Sequence, residues 1–452
     1  MKGEAEHVSI TMPITKWNYQ VTAASEIPGA IARAFYIARS GRPGPVLIDI
    51  AKNAQVEMFD YAYKPCLSLR SYNPRPALDM TTIEKAVEMI NAAERPIMLV
   101  GQGVKLGEAE AETIRLAETG NIPMGTTLMG ISAVASDHPL FVGNLGMHGN
   151  LAANEMSQRS DLIIAVGMRF SDRVTGDVKS YAPNAKIIHI DIDAAEQGKN
   201  LRVDLPIHAD ARDAMEAMMV GLQYKERPEW FALAAAQREI EHADVISKSV
   251  APAGEYITMA GVIQTLAEVE NGNAVIVTDV GQNQMFAARY SRFNASRSFI
   301  TSGGLGTMGF GLPAAIGAKL GAPDREVVAV LGDGGFQMNI QELGTIMQNN
   351  IGVKMLVLNN SYLGMVRQWQ QLFFNRRYSF TELEDPDFAA VAAAYRIPGK
   401  RVERIEDLRP ALERMAAAEG SYLLEVVVKG EENVFPMVPA GASLSDFITC
   451  EP

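Results

Sequence analysis

Residues 326–360 read EVVAVLGDGGFQMNIQELGTIMQNNIGVKMLVLNN, and this stretch decides the fold of the C-terminal half. It predicts a buried strand at 326–331, a helix at 337–349 and a second buried strand at 353–358. Near-continuous apolar runs of this kind suit parallel strands that are covered on both faces. The unit is therefore a βαβ crossover, in which the carboxyl ends of both strands meet at one edge of the sheet.

Polar side chains follow both of these strands. Asp333 lies in a Gly-Asp-Gly-Gly turn, Asn360 ends the second strand, and 24 residues separate Gly334 from Asn359. Carboxylate and amide oxygens suit an octahedral Mg²⁺ that also takes diphosphate oxygens, and the glycines let backbone N–H groups approach a phosphate. A tight turn and an unrelated Asn-Asn pair are the ordinary alternative. The motif and its spacing together favour a magnesium–diphosphate site.

The same alternation of strand, glycine-rich turn and helix continues along the chain, which predicts an α/β fold of doubly wound parallel sheets. Further strands are predicted at 45–50, 96–100, 162–166, 187–192, 274–278 and 422–428, and further helices at 26–40, 81–94, 109–119 and 405–418.

Two joins interrupt this pattern. Residues 67–80 carry prolines without a clear period, and residues 224–255 pass through a charged helical stretch into a Pro/Gly segment. The joins predict four parts, which are a leading piece at 1–66, a middle domain at 80–225, a C-terminal domain at 256–430 and an arm at 431–452.

Composition excludes several classes of protein. The 452 residues include 41 basic and 53 acidic side chains, a net charge of −12 that disfavours nucleic acid and anionic membranes as partners. The two cysteines, Cys66 and Cys450, are too few and too far apart for a disulfide scaffold or a structural zinc site. No apolar run reaches membrane-spanning length and no signal-peptide core begins the chain. These features predict a soluble, acidic protein of a reducing compartment, with a cytoplasmic location.

Several motifs, taken together, resemble one family of enzymes. The spacing GDG-x24-NN resembles the thiamine-diphosphate signature. The segments 279–285 (DVGQNQM), 301–321 (TSGGLGTMGFGLPAAIGAKLG), 358–370 (LNNSYLGMVRQWQ) and 434–444 (VFPMVPAGASL) are similar to the large, catalytic subunit of acetolactate synthase. The resemblance extends over essentially all of the chain.

This resemblance implies a fold, an activity and a set of partners. The fold would be that of thiamine-diphosphate enzymes, with a middle FAD-type domain, a C-terminal diphosphate-binding domain and, at 1–66, the end of a pyrimidine-binding domain. The family condenses two pyruvates to 2-acetolactate, or pyruvate and 2-oxobutyrate to the homologous product, in branched-chain amino acid biosynthesis. Its cofactors are thiamine diphosphate, Mg²⁺ and FAD. The implied assembly is a homodimer or homotetramer, with a small regulatory subunit as a further partner.

The resemblance also implies roles for individual residues. Asp333, the Asn360 side chain and the Tyr362 carbonyl would hold Mg²⁺. Three residues would act in catalysis, namely Met308 as the wedge beneath the cofactor, Arg173 as the carboxylate clamp, and Trp369 as the residue favouring 2-oxobutyrate. Thiamine diphosphate would contact Gly281, Gln282, Asn283, Gly306, Met308, Gly334, Gly335, Gly364 and Met365. FAD would contact Gly101, Gly103, Thr127, Leu128, His148, Gly167, Arg169, Asp191, Asp193 and Asp210.

Two departures from the family pattern bear on these assignments. Many members have His where this chain has Asn283, which cannot become cationic, so one phosphate contact is expected to be weaker. At the position of Met12 many members have an Arg that contacts FAD, so that contact is not expected here. On the residues alone, the Gly-Gln-Gly at 101–103 is also an incomplete dinucleotide motif, because Leu106 occupies its third glycine position.

The family's catalytic Glu lies in an R-H-E-x-G-A-like segment, and these 452 residues contain no such segment. The glutamates before residue 60 are Glu4, Glu6, Glu26 and Glu57, none in that context. Three interpretations follow. The first is a large subunit whose sequence is truncated at the N-terminus and which is impaired as it stands. The second is a non-catalytic paralogue that binds the cofactors as a regulatory partner, and the third is an enzyme like glyoxylate carboligase.

Overall fold

The computed structural model describes residues 7–251 and 256–451, and within them the strands form three parallel sheets. No helix in these two ranges is long and apolar enough to cross a bilayer.

The leading part is a small two-stranded unit. Strands β1 (Trp17–Val21) and β2 (Val46–Ile50) pair in parallel, and helix α2 (Ile27–Arg39) packs against both of them. Arg42 joins this unit to the middle of the chain, with Nη1 2.9 Å from Asp193 Oδ2 and 2.7 Å from Glu196 Oε1. The helices here are α1 (His7–Thr11) and α2 (Ile27–Arg39), with 3₁₀ turns at Met12–Ile14 and Ala24–Glu26.

The middle part is a six-stranded sheet in the order β5-β4-β3-β6-β7-β8. Its strands are β3 (Pro96–Val100), β4 (Met124–Thr126), β5 (Phe141–Asn144), β6 (Leu162–Val166), β7 (Lys186–Asp191) and β8 (Leu205–His208). The helices are α3 (Met80–Ala92), α4 (Gln102–Leu106), α5 (Glu110–Gly120), α6 (Leu151–Arg159), α7 (Asp172–Thr175), α8 (Ala211–Met219), α9 (Pro228–Glu241) and α10 (Ser247–Val250). Two 3₁₀ turns lie at Leu128–Gly130 and Ala194–Glu196, and a π-helical turn lies at His242–Ile246.

The C-terminal part is a second six-stranded sheet, in the order β10-β9-β11-β12-β14-β13. Its strands are β9 (Val275–Thr278), β10 (Phe299–Ile300), β11 (Val327–Gly332), β12 (Lys354–Asn359), β13 (Gly399–Val402) and β14 (Tyr422–Val427). The helices are α11 (Met259–Val269), α12 (Gln282–Tyr290), α13 (Gly311–Gly321), α14 (Asp333–Met338), α15 (Leu343–Asn349), α16 (Gly364–Phe373), α17 (Phe388–Ala394) and α18 (Ile405–Ala417), with a 3₁₀ turn at Ile340–Glu342.

Strand β11 shows why these runs are apolar throughout. Val328 and Val330 pack into the core on one face of the sheet, whereas Val327, Ala329 and Leu331 pack into the core on the other. Because helices cover both faces, alternate side chains are equally buried and polar alternation disappears. This arrangement confirms the predicted doubly wound α/β fold.

All eight predicted strands are present, each displaced by no more than one residue at either end. Six further strands in the described residues were not predicted with bounds, namely β1, β4, β5, β8, β10 and β13. Strand β1 has five residues, and the other five have only two to four residues and too little apolar periodicity. The prediction of one continuous helix at 337–349 is wrong, because the structure has two helices there, α14 and α15, with a 3₁₀ turn between them. Helix α14 begins at Asp333 and ends at Met338, and the non-helical Asn339, with φ −134° and ψ 31°, separates it from the 3₁₀ turn that precedes α15. The Asn339 side chain there donates to Gly309 O at 2.6 Å.

The domain bounds stay predictions, and residues 1–6, 252–255 and 452 of the predicted segments lie outside the described residues. One contact bears on the join at 224–255. Helix α9 within it packs on the middle part, where Trp230 Nε1 donates to Pro96 O at 2.9 Å.

Candidate functional site

The candidate site lies at the carboxyl edge of the C-terminal sheet, where three neighbouring strands end. Strand β11 pairs with β9 on one side and with β12 on the other. Asp279, Asp333 and Asn360 each follow one of these strand ends. Strands β10 and β11 lie on opposite sides of β9, which makes this edge a topological switch point, the usual place for a ligand in an open α/β sheet.

Asp333 and Asn360 meet as the spacing predicts. Asp333 is 2 % exposed, and its Oδ2 accepts a hydrogen bond from Asn360 N at 3.0 Å while its Oδ1 accepts one from Gly334 N at 2.7 Å. Asn360 Oδ1 in turn accepts from Tyr362 N at 3.3 Å. Burial, with the nearby charge of Asp385 as a second cause, raises the pKa of Asp333 to about 7. A bound cation would supply the counter-charge that this carboxylate lacks.

Most of the residues predicted to contact thiamine diphosphate line one cleft with the predicted metal ligands. The exception is Gly306, which lies in the exposed loop before α13 with a φ of +65°. The predicted residues that line this diphosphate cleft are Gly281, Gln282, Asn283, Met308, Asp333, Gly334, Gly335, Asn360, Tyr362, Gly364 and Met365.

Two glycines of the diphosphate cleft are required by the polar groups around them. A Cβ on Gly364 would lie 2.2 Å from Gln282 Oε1 and 2.9 Å from Asn360 Nδ2. A Cβ on Gly335 would lie 2.4 Å from Asp279 Oδ1. A larger residue at either position would displace the side chains that shape the cleft.

Sequence reasoning missed Asp279, which holds the loop before α13 against the sheet. Asp279 is fully buried, and its carboxylate accepts hydrogen bonds from Gly309 N at 3.0 Å and Gly311 N at 2.8 Å. These bonds fix the backbone on the C-terminal side of Met308. The available signal was an acidic residue directly after a buried strand, the same signal that singled out Asp333.

Asn283 uses its amide to join two strands. Its Nδ2 donates to Val330 O at 2.9 Å and to Asp279 O at 3.2 Å. The donor group is therefore engaged by main-chain carbonyls, and the weaker phosphate contact expected at this position stays a prediction.

The structure places Arg173 and Trp369 outside the lining of the diphosphate cleft. Arg173 is exposed in a second cleft, with Nη1 3.6 Å from Met147 Sδ. Trp369 is half-buried on α16, where its ring centroid is 5.1 Å from that of Phe373. Of the three predicted catalytic residues, only Met308 lines the diphosphate cleft. The second cleft, called the Arg173 cleft below, is lined by Met147, Asp172, Arg173, Gly176, Val438, Pro439, Ala440, Gly441 and Leu444.

The residues predicted to bind FAD cluster at the equivalent edge of the middle sheet. Its strand order, with β4 and β6 on opposite sides of β3, creates a switch point of the dinucleotide-binding type. Three of these residues come directly after a strand: Gly101 after β3, Thr127 after β4 and Gly167 after β6. Asp191 ends β7, and the remaining predicted residues lie on the loops and turns beyond, with Leu128 in a 3₁₀ turn and Arg169 exposed.

Several of these residues already have partners within the protein. A Cβ on Gly101 would lie 2.1 Å from Gly167 O, and one on Gly103 2.5 Å from Gly167 Cα, so these glycines allow two backbone segments to touch. The carboxylates of Asp193 and Asp210 cap short helices, accepting at 3.0 Å from Ala195 N and Arg212 N respectively.

Among the predicted FAD residues, His148 has a buried polar atom, Nδ1, that has no hydrogen-bond partner. Burial lowers the pKa of this imidazole to about 4, so it is neutral and offers a hydrogen bond to a polar group. The strand order and His148 fit a bound dinucleotide. The carboxylates of Asp193 and Asp210 instead already accept hydrogen bonds from main-chain N–H groups.

Within the described ranges, no group of three or more His, Cys, Asp or Glu side chains is arranged to hold a metal ion. The predicted magnesium set is of another kind, because it combines the single carboxylate of Asp333 with the Asn360 amide and the Tyr362 carbonyl. Both carbonyl-type oxygens are hard donors that suit Mg²⁺.

Comparison with known proteins places this geometry in a class. Residues 279–426 match the family described as "Thiamine pyrophosphate enzyme, C-terminal TPP binding domain", and residues 83–218 match "Thiamine pyrophosphate enzyme, central domain". Thiamine pyrophosphate is another name for thiamine diphosphate. The fold and the diphosphate cleft thus define a thiamine-diphosphate-dependent enzyme, as the sequence motifs predict.

Individual relatives narrow the class to one family. The chain is 42 % identical to the "Probable acetolactate synthase large subunit" of Methanococcus aeolicus, over 98 % of this chain and 77 % of the relative. It is 41 % identical to the protein of the same description in Methanocaldococcus jannaschii, over 98 % and 76 %. It is also 41 % identical to "Acetolactate synthase 1, chloroplastic" of Nicotiana tabacum, over 99 % and 68 %. The chain belongs to the acetolactate synthase large-subunit family, which confirms the predicted family.

Proposed function

We propose that this chain carries the site that decarboxylates pyruvate and joins the remaining two carbons to pyruvate or 2-oxobutyrate, forming 2-acetolactate or its homologue. The observation that carries the proposal is the Asp333–Asn360 contact inside a glycine-lined cleft. It supplies a carboxylate, an amide and a main-chain carbonyl at the end of neighbouring strands, which is a donor set for Mg²⁺ and a diphosphate.

Thiamine diphosphate, when bound, would supply a nucleophilic carbon that can add to the 2-oxo group and a cationic ring that can take up the electrons left by departing CO₂. Asp333, Asn360 and the Tyr362 carbonyl would hold Mg²⁺. The N–H of Gly335 would face the diphosphate, because glycine has no side chain to block the approach, whereas the N–H of Gly334 already donates to Asp333 Oδ1 at 2.7 Å. Met308 would offer an apolar, polarisable surface to the cofactor.

The FAD site, the partners and the location are further parts of the proposal. FAD would lie at the switch point of the middle sheet, near Gly101, Gly167 and His148, and would act structurally because the reaction has no net redox step. The description of the relatives as large subunits supports a small regulatory partner, and the family resemblance supports a homo-oligomer. A cytoplasmic location stays a prediction from the composition.

The test is an acetolactate assay on a protein made of these 452 residues, with pyruvate, Mg²⁺, thiamine diphosphate and FAD. We expect slow formation of acetolactate that requires both Mg²⁺ and thiamine diphosphate. The rate should lie about 10²–10⁴-fold below that of the Methanococcus aeolicus relative assayed in parallel, the usual contribution of one acid–base group such as the absent Glu.

Each other result selects a different interpretation. Turnover equal to that of the relative would show that the R-H-E-x-G-A-like segment is not needed here. Cofactor binding without any acetolactate would favour the non-catalytic paralogue. Condensation of glyoxylate in preference to pyruvate would favour the glyoxylate carboligase alternative.

Trp369 is predicted to select the second substrate. When pyruvate and 2-oxobutyrate compete, Trp369→Leu should shift the product ratio about 10-fold toward acetolactate, because a contact with one extra methyl is worth about 1–3 kcal/mol. The ratio is measured by chromatography of the two products. Phe374→Leu is the matched control, since Phe374 is an exposed aromatic residue just after α16 and should leave the ratio unchanged. An unchanged ratio in Trp369→Leu would make this tryptophan a packing residue only.

A further inference from the structure

A buried ion pair connects the middle and C-terminal parts of the molecule. Arg289 lies near the end of α12, and Glu241 is the last residue of α9. Both side chains are only 2 % exposed, and Arg289 Nη2 contacts Glu241 Oε1 directly. Neither residue was singled out by sequence motifs, and neither lines the diphosphate cleft or the Arg173 cleft.

Both members of the pair hold the loop at residues 146–150. Arg289 Nη1 donates to His148 O at 3.1 Å and to Gly149 O at 3.0 Å. Glu241 accepts from Asn150 Nδ2 and from Leu151 N, each at 2.8 Å. The pair therefore fixes both the middle of this loop and the point at which it enters α6.

The other side of the loop forms a wall of the Arg173 cleft. Met147 N donates to Arg173 O at 2.9 Å, and Met147 O accepts from Val438 N at 2.8 Å. A Cβ on Gly146 would lie 2.4 Å from Arg173 O, so the two backbones are in direct contact. A shift of the loop would move the backbone of Arg173 with it.

The opposite end of α12 belongs to the diphosphate cleft. The helix starts at Gln282, whose Nε2 donates to Gln368 Oε1 at 2.9 Å and to Glu432 O at 2.6 Å, and it ends at Tyr290, directly after Arg289. One helix of nine residues thus joins the diphosphate cleft to the loop that carries the Arg173 cleft. Such a helix transmits position because it is rigid over this length.

We propose that the Arg289–Glu241 pair is a positioning element, which sets the place of Arg173 relative to the diphosphate cleft through the loop at 146–150. The inference rests on the proposed function, in which Arg173 holds the carboxylate of a 2-oxo acid. A pair with only a packing role could be exchanged for apolar residues without loss of binding, since buried ion pairs are often replaceable in this way. A positioning pair cannot, because its hydrogen bonds define where the loop lies.

The experiment compares Arg289→Gln, Arg173→Gln and the double variant in the full chain. Hydrogen exchange by mass spectrometry reports on the loop, and saturation-transfer NMR of the pyruvate methyl group, without thiamine diphosphate, reports the Kd of pyruvate. In Arg289→Gln we expect amide exchange in peptides covering 144–151 to rise ~10-fold or more, while peptides from β12 stay protected. The Kd of pyruvate should rise about 5-fold or more. In the Arg173→Gln background, Arg289→Gln should add no further change, because the two residues act in series.

Several results would overturn the proposal. They are unchanged exchange at 144–151, an unchanged pyruvate Kd despite faster loop exchange, or an effect that is fully additive with Arg173→Gln. If Arg173→Gln itself leaves the Kd unchanged, the proposed role of Arg173 fails. The loop exchange and the Arg289→Gln Kd then still decide whether the pair controls this region.

Further variants serve as a control and as replacements in case Arg289→Gln does not fold. Arg409→Gln breaks the exposed pair with Glu268 and should change neither measurement. If Arg289→Gln fails to fold, Glu241→Gln and Arg289→Lys replace it. Arg289→Lys should show an intermediate Kd, since lysine keeps the charge but loses the planar fork. Wild-type loop exchange and Kd in both would contradict a positioning role.

Discussion

Asp333→Ala is expected to abolish the Mg²⁺-dependent binding of thiamine diphosphate. The carboxylate is the only charged group in the predicted metal set, and it also orders Asn360 through a hydrogen bond of 3.0 Å. Its loss removes a direct ligand and loosens a second one. Replacement of an outer-shell partner alone typically costs 10–100-fold in metal affinity, so we expect a loss of more than about 100-fold here. Titration calorimetry with and without Mg²⁺ measures the effect.

Asp324→Ala is the matched control, because Asp324 is an exposed acid that precedes the amino end of β11, whereas Asp333 follows its carboxyl end. The Asp324→Ala variant should bind thiamine diphosphate with the affinity of the wild type. If Asp333→Ala binds thiamine diphosphate with unchanged affinity in the presence of Mg²⁺, the metal assignment at this edge of the sheet is wrong.

Gly101→Ala is expected to destabilise the protein by about 3 kcal/mol, the upper part of the usual range for overpacking a rigid core. The new Cβ would lie 2.1 Å from Gly167 O and 2.6 Å from Gly167 C. Backbone atoms at the ends of two paired strands cannot move aside as a flexible side chain would. Urea unfolding followed by circular dichroism measures the loss.

This variant also separates two roles for the glycine. If Gly101 serves only a bound dinucleotide, the free energy of unfolding without FAD will be unchanged and only flavin affinity will fall. Gly317→Ala is the control, because a Cβ there meets nothing within 4 Å inside α13. It should raise stability by up to about 1 kcal/mol through helix propensity.

Local patterns predicted the parts of the site that lie close to a strand end. Asp333 and Asn360 could be placed together because a βαβ crossover has a fixed hand and brings both strand ends to one edge. The same reasoning would have found Asp279, which also follows a buried strand, but its role depends on Gly309 and Gly311, whose approach no local pattern indicates. The break between α14 and α15 was missed for the same reason, since Asn339 is held by a carbonyl of another loop.

The sequence by itself determined the class of fold and the family, because these rest on apolar periodicity and on short local motifs. It also brought Asp333 and Asn360 together, because both lie within one crossover. Only the tertiary structure decided which residues that are distant in the chain contact one another. It places Arg173 in a separate cleft, presses Gly101 against Gly167, and joins Arg289 to Glu241 across 48 positions of the chain. Contacts of this kind depend on where whole elements pack, and packing leaves no periodic trace in the sequence.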